Sequence, residues 1–202
     1  MDVLEKYKEA WDNQDNDTKK VSQVEIYKMM KSKSSSIVKW IFIIGMIEFI
    51  LLGCSYLFID FEESNKIYDD LGIKNFVVYS QVVLGAIVIY YLYKFYINYR
   101  SISVTENTKS LMNQIVTTRR TVKNYVFINL GYLAIMFSVI TTMSFKKFDD
   151  FSNMQTIGAI IGMVFFLAVI LGLTWLFYQL IYGILLRKLY RNYKDLAKLD
   201  DE

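Results

Sequence analysis

The 202 residues carry 23 Lys and Arg against 20 Asp and Glu, a net charge of +3, and 54% of them are hydrophobic. That apolar content exceeds the roughly half of an average soluble domain, and so small an excess of positive charge excludes the strongly basic surface of a nucleic-acid-binding protein. Histidine and proline are absent and Cys54 is the only cysteine, which excludes histidine-ligated metals, internal disulfides and histidine-based catalytic triads.

In chain order, residues 1–36 begin with Val3, Leu4, Tyr7 and Trp11, an i, i+1, i+4, i+8 stripe that predicts a short amphipathic helix. A polar linker follows from Asp12 to Lys20. Ser22 with Glu25 forms a capping-box pattern for a second helix carrying Val24, Ile26, Met29 and Met30, which Ser34, Ser35 and Ser36 are expected to interrupt. No apolar run follows a basic start within these residues, so no cleavable signal peptide is expected.

Four mostly apolar blocks come next, at 37–59, 76–93, 125–143 and 157–186. Each approaches or exceeds the ~20 residues that a helix needs to cross a ~30 Å hydrocarbon core, and none shows the two-residue alternation of barrel strands. The predicted fold is therefore all-α: an integral membrane four-helix bundle with helical extensions. Loops are expected at 60–75 and 144–156. Between the second and third spans, 94–124 is predicted to form a helical hairpin. Ser103 and Glu106 supply a capping pattern for one continuous helix from about Val104 to about Met143. Residues 187–202 continue the fourth helix as an amphipathic tail. Trp40, Tyr56, Tyr93, Tyr125 and Tyr182 fall near the span ends, where aromatic rings settle at headgroup depth.

The basic residues are distributed one-sidedly. Eight lie in the N-terminal part through Lys39, six between Lys94 and Lys123, and five from Arg187 onward, nineteen of the 23. Since Lys and Arg are retained in cytoplasmic segments, the expected orientation places both termini in the cytoplasm, N-in and C-in.

Glu48 is the one acidic residue inside a span, roughly 13 Å from the basic edge at 1.5 Å per residue. A carboxylate at such depth costs about 3 kcal/mol on insertion scales and marks a functional candidate. Gln179 lies at matched depth on the fourth span and is the expected hydrogen-bonding partner; Asn129 on the third span is read as a packing hydrogen bond. Gly158 and Gly162, with Ala168 and Gly172, give small-xxx-small spacing for close helix packing inside the bundle, a homo-oligomer contact being the alternative. Arg119, Arg120 and Lys123, with Arg187, Lys188 and Arg191, form a basic belt suited to anionic headgroups.

Three stretches, EIYKMMKSKSSSIVKWIFIIGMIEF at 25–49, ISVTENTKSLMNQIVTTRRTVKNY at 102–125 and LIYGILLRKLYRNYKDL at 180–196, together resemble an uncharacterised family of four-span inner-membrane proteins of flavobacteria and their relatives. Members of that family are often labelled beta-carotene 15,15'-monooxygenases. The residues contradict such an activity, because those oxygenases bind iron through four histidines and this chain has none. The resemblance also implies proximity to extracytoplasmic-function sigma factors, hence a membrane-bound regulator.

The expected function is accordingly non-enzymatic. The chain is read as a multi-pass protein of the bacterial inner membrane, without cofactor, metal or nucleic acid. Its partners are the lipid bilayer and a cytoplasmic protein, a sigma factor in the anti-sigma version, bound through Val3, Leu4, Tyr7 and Trp11 as a helix-in-groove anchor. The alternative is a small transporter or lipid-handling protein centred on Glu48.

Overall fold

The computed structural model describes residues 23–58, 61–146 and 153–200. The Val3, Leu4, Tyr7, Trp11 stripe, the polar linker and Ser22 lie outside the described residues. The described chain is all-α, with α1 (Gln23–Phe58), α2 (Phe61–Asp70), α3 (Lys74–Val104), α4 (Thr108–Phe145) and α5 (Asn153–Tyr178). A five-residue π turn (Gln179–Gly183) then leads directly into α6 (Ile184–Asp200), so α5 and α6 form one rod. Four rods are long and apolar enough to cross a membrane, within 24–54, 74–104, 108–145 and 154–198. Their outward surfaces expose Ile50, Leu51, Val82, Phe127, Phe165 and Leu173, among others. In water such a surface would drive aggregation; together with the spans it suggests a lipid bilayer around a multi-pass protein.

The expected break at Ser34, Ser35 and Ser36 is absent, and α1 runs straight through it. Serine costs only about half a kcal/mol in a helix interior, and Ser34 is fully buried, accepting a hydrogen bond from Asn192 Nδ2 of α6 at 3.2 Å. The small side chain admits α6 instead of ending α1. The Ser103–Glu106 cap is also corrected. Ser103 belongs to the last turn of α3 and donates to the Arg100 carbonyl at 2.7 Å. Thr105 is extended, and Asn107 is the true N-cap of α4, accepting from Ser110 N at 2.7 Å. Helix α4 therefore starts at Thr108, not Val104.

The connection between the first two spans holds the short helix α2. Gly72 closes it with φ +67°, the left-handed conformation glycine adopts without a Cβ penalty. The Ile73 amide donates to the Tyr68 carbonyl and the Gly72 amide to that of Asp69, a Schellman motif. The Lys74 ammonium pairs with Asp69 at 2.6 Å beside it.

Packing is uneven along the rods. At the end where the basic residues gather, here the basic end, α6 packs on both α1 and α4 and closes a ring with α3. A buried cluster of Val38, Ile102, Leu111, Ile115, Leu189 and Leu196 fills it. The Tyr27 hydroxyl donates to the Thr105 carbonyl at 2.9 Å, tying the start of α1 to the α3–α4 turn. Towards the opposite end α1 leans on α3 while α5 leans on α4. There α5 has little contact with α1 or α3, and a groove of about 480 Å³ between α4 and α5 is lined by Phe137, Thr141, Phe145, Ile160, Met163 and Leu167.

Candidate functional site: a carboxylate among tyrosines

Between the closed basic end and the opposite end lies a second buried cluster: Ile41, Val88, Tyr91, Phe95, Val122, Tyr125, Tyr178 and Tyr182. Glu48 is half-buried beside it. Tyr178 donates to Glu48 Oε1 at 2.6 Å and Tyr182 to Oε2 at 3.0 Å, so each carboxyl oxygen has its own phenol. Tyr125 completes the group from α4, its hydroxyl close enough to interact with Glu48, Asn129 and Tyr178. The rings pack edge to face, Tyr125 on Tyr178 at 6.3 Å and on Tyr182 at 6.2 Å, a geometry the ring quadrupoles favour. Tyr91 and Phe95 of α3 each come within 5.5 Å of Tyr125.

Local backbone features bring these groups together. Gly45, one turn before Glu48, is buried where α1 meets α3; a Cβ there would lie 3.1 Å from Leu92 Cδ2 and 3.2 Å from Phe95 Cδ2. Its bare Cα lets α1 approach α3 beneath the carboxylate. On the other side, the π turn begins directly after Tyr178 and contains Tyr182. A π turn holds one residue more than an α turn, and such insertions recur at functional sites. Tyr178 and Tyr182 stack at 6.0 Å across it.

The expected Glu48–Gln179 pair is not formed. Matched depth along two helices says nothing about which way each side chain faces. Gln179 instead lies over Gly183, where a Cβ would come within 2.9 Å of the Gln179 Cδ. Asn129 is in the group, but its Nδ2 donates within its own helix, to the Tyr125 carbonyl at 2.9 Å, rather than across to another helix. Tyr125 and Tyr182, expected at the headgroup belt, are 1% and 2% exposed and belong to this core. The sequence signal for them was the carboxylate itself: an acid at that depth demands donors, and the tyrosines are the donors at hand.

The remaining candidate residues lie elsewhere. Gly158, Gly162, Ala168 and Gly172 are exposed, and a Cβ at any of the three glycines would meet nothing within 4 Å. Packing among the described residues therefore does not use them. In the basic belt, Arg120, Lys123, Arg187, Lys188 and Arg191 are exposed. Arg119 differs: its guanidinium carbon lies 4.2 Å above the Tyr190 ring, and its buried Nε has no hydrogen-bond partner. A groove of about 270 Å³ between α4 and the π turn, lined by Lys123, Val126, Leu130, Trp175 and Gln179, reaches Tyr178 and Tyr182.

Glu48 has no cationic partner among the described residues. Two phenols, a flank of aromatic rings and a carboxyl without a cation among the described residues make a site whose chemistry suits an organic cation. Aromatic faces attract cations, and a carboxylate in apolar surroundings gains strongly from one.

No curated protein and no solved structure matches the chain. Over residues 24–201 it matches the profile described as a domain of unknown function, DUF8845, and since that match spans most of its length, the chain belongs to the DUF8845 family.

Proposed function

We propose that this protein is a small, non-enzymatic membrane transporter whose binding centre, Glu48 with Tyr178, Tyr182 and Tyr125, takes hydrophobic organic cations. The observation that carries this reading is the two-phenol clamp on a half-buried carboxyl group that has no cationic partner among the described residues. The aromatic surround suits a cation whose charge is spread over an apolar body. The groove of about 270 Å³ beside the π turn supports the same reading, because it reaches Tyr178 and Tyr182.

Tetraphenylphosphonium titrated into the full chain in nanodiscs is the direct test. Saturable binding is expected, weakened about tenfold or more in Glu48→Gln, the equivalent of one lost charge interaction of ~1.4 kcal/mol. Absence of saturable binding, or equal affinity in the variant, overturns the reading.

A second reading rests on the closed basic end, where the Tyr27–Thr105 bond and the buried cluster fix the start of α1. In it the chain is an adaptor of the bacterial inner membrane, oriented N-in and C-in by the basic residues. Val3, Leu4, Tyr7 and Trp11 would then grip a cytoplasmic protein, a sigma factor in the version the flavobacterial resemblance favours. Single cysteines at Val3 and Lys8 in a Cys54→Ser background should take up impermeant maleimide only from the cytoplasmic face, with Val3 shielded in native membranes and free after purification. Labelling from the other face overturns the orientation, and equal labelling before and after purification overturns the adaptor.

A further inference from the structure

A different part of the molecule, far along α1 from Glu48, has the composition of an anion site. Lys28, Lys31, Ser32, Ser35, Ser36 and Lys39 stand at i, i+3, i+4, i+7, i+8 and i+11, and so share a face of α1. Tyr99 and Ser103 of α3 form the facing wall of a groove of about 420 Å³. Every polar side chain lining it ends in an ammonium or a hydroxyl, and no carboxylate does. Lys28, Lys31 and Lys39 make no ion pair among the described residues.

The groove's place along α1 sets the depth of whatever it holds. Lys39 stands at the start of the apolar stretch, and its neighbour Trp40 is exposed, as is Tyr96 on α3. Both rings mark the headgroup layer. Lys31 and Lys28 lie about two and three turns beyond it, away from the apolar stretch, on stems flexible enough to bend inward.

We propose that this α1–α3 groove binds a phosphomonoester, presented by a lipid headgroup at the bilayer surface. Three ammonium groups without an ion pair among the described residues exceed the single charge of a phosphodiester, whereas a monoester carries nearly two charges at neutral pH. The hydroxyls of Ser32, Ser35 and Ser36 supply donors to its terminal oxygens. Basic pockets between spanning helices are known to select headgroups in this way. The site is separate from the belt of Arg120, Lys123, Arg187, Lys188 and Arg191, which lies on α4 and α6.

Native mass spectrometry of the full chain from detergent, with phosphatidic acid, phosphatidylglycerol and phosphatidylcholine offered in competition, reads this out. Phosphatidic acid should be retained preferentially, and the combined K28Q, K31Q and K39Q variant should lose about tenfold of that retention. The corresponding three Lys→Arg changes should keep it. A control with K109Q, K194Q and K198Q removes the same charge at exposed positions outside both the groove and the belt and should leave it unchanged; equal loss in the control means diffuse attraction and overturns the site. Excess inorganic phosphate distinguishes the source. Undiminished lipid retention supports a headgroup ligand, and displacement by phosphate alone overturns the lipid assignment.

Discussion

Replacing Tyr125 with alanine is expected to destabilise the protein by about 3–4 kcal/mol, within the range seen for deleting a buried aromatic ring. Its ring is 1% exposed and touches Tyr91 and Phe95 of α3, Tyr178 of α5 and Tyr182 of the π turn. It therefore joins three rods at one level. Between membrane helices this matters more than area suggests, because lipid tails are as apolar as the side chains and association depends on close packing. Tyr125→Phe keeps the ring and should cost about 1 kcal/mol or less, the scale of a hydrogen bond between spanning helices. Reversible unfolding in mixed micelles measures both. A loss below about 1 kcal/mol for the alanine variant would mean the surrounding rings close over the gap and that Tyr125 is not the keystone described.

The second large effect is a coupling. Glu48→Leu leaves the Tyr178 and Tyr182 hydroxyls without their acceptor, while Tyr178→Phe with Tyr182→Phe leaves the carboxyl group without its donors. Applied together, the changes remove both sides of the interaction, so the combined variant should be more stable than the sum of its parts by about 1–2 kcal/mol. The same cycle run between Glu48→Leu and Gln179→Leu should be additive within about 0.5 kcal/mol. Additivity with the tyrosines, or strong coupling with Gln179, would reverse the assignment of partners.

Those two cycles also mark where sequence reasoning stops. The apolar blocks could be read directly because a bilayer imposes a continuous length of apolar chain, and Glu48 could be read because it violates that demand. Its partner could not. Counting residues at 1.5 Å each gives depth but not direction, and by depth Gln179 was as good as Tyr178 or Tyr182. A tyrosine near the end of a span fits the headgroup layer and a buried clamp equally well, and only the packing of α4 against the π turn decides in favour of the clamp at Tyr125 and Tyr182. At the α3–α4 turn, Ser103 and Asn107 are both good caps. The extended backbone at Thr105 and Asn107 selects the asparagine. The glycines at 158, 162 and 172 have the spacing of a packing motif but meet open space, because spacing cannot say whether a neighbour is there.

The π turn has a meaning for length as well as for shape. One added residue in a continuous rod rotates everything after it by about 100° relative to an unbroken α-helix. The face of α5 turned toward α4 and the face of α6 carrying Leu189, Asn192 and Leu196 are therefore set in phase by a single insertion between Tyr178 and Ile184. Substitutions in this stretch alter one side chain at a time. A one-residue deletion there would turn all of α6, carrying Leu189 and Leu196 away from Val38 and Ile102 and Asn192 away from Ser34. The spacing between the tyrosine clamp and the basic end is thus a coded quantity, as specific to this chain as any of its side chains.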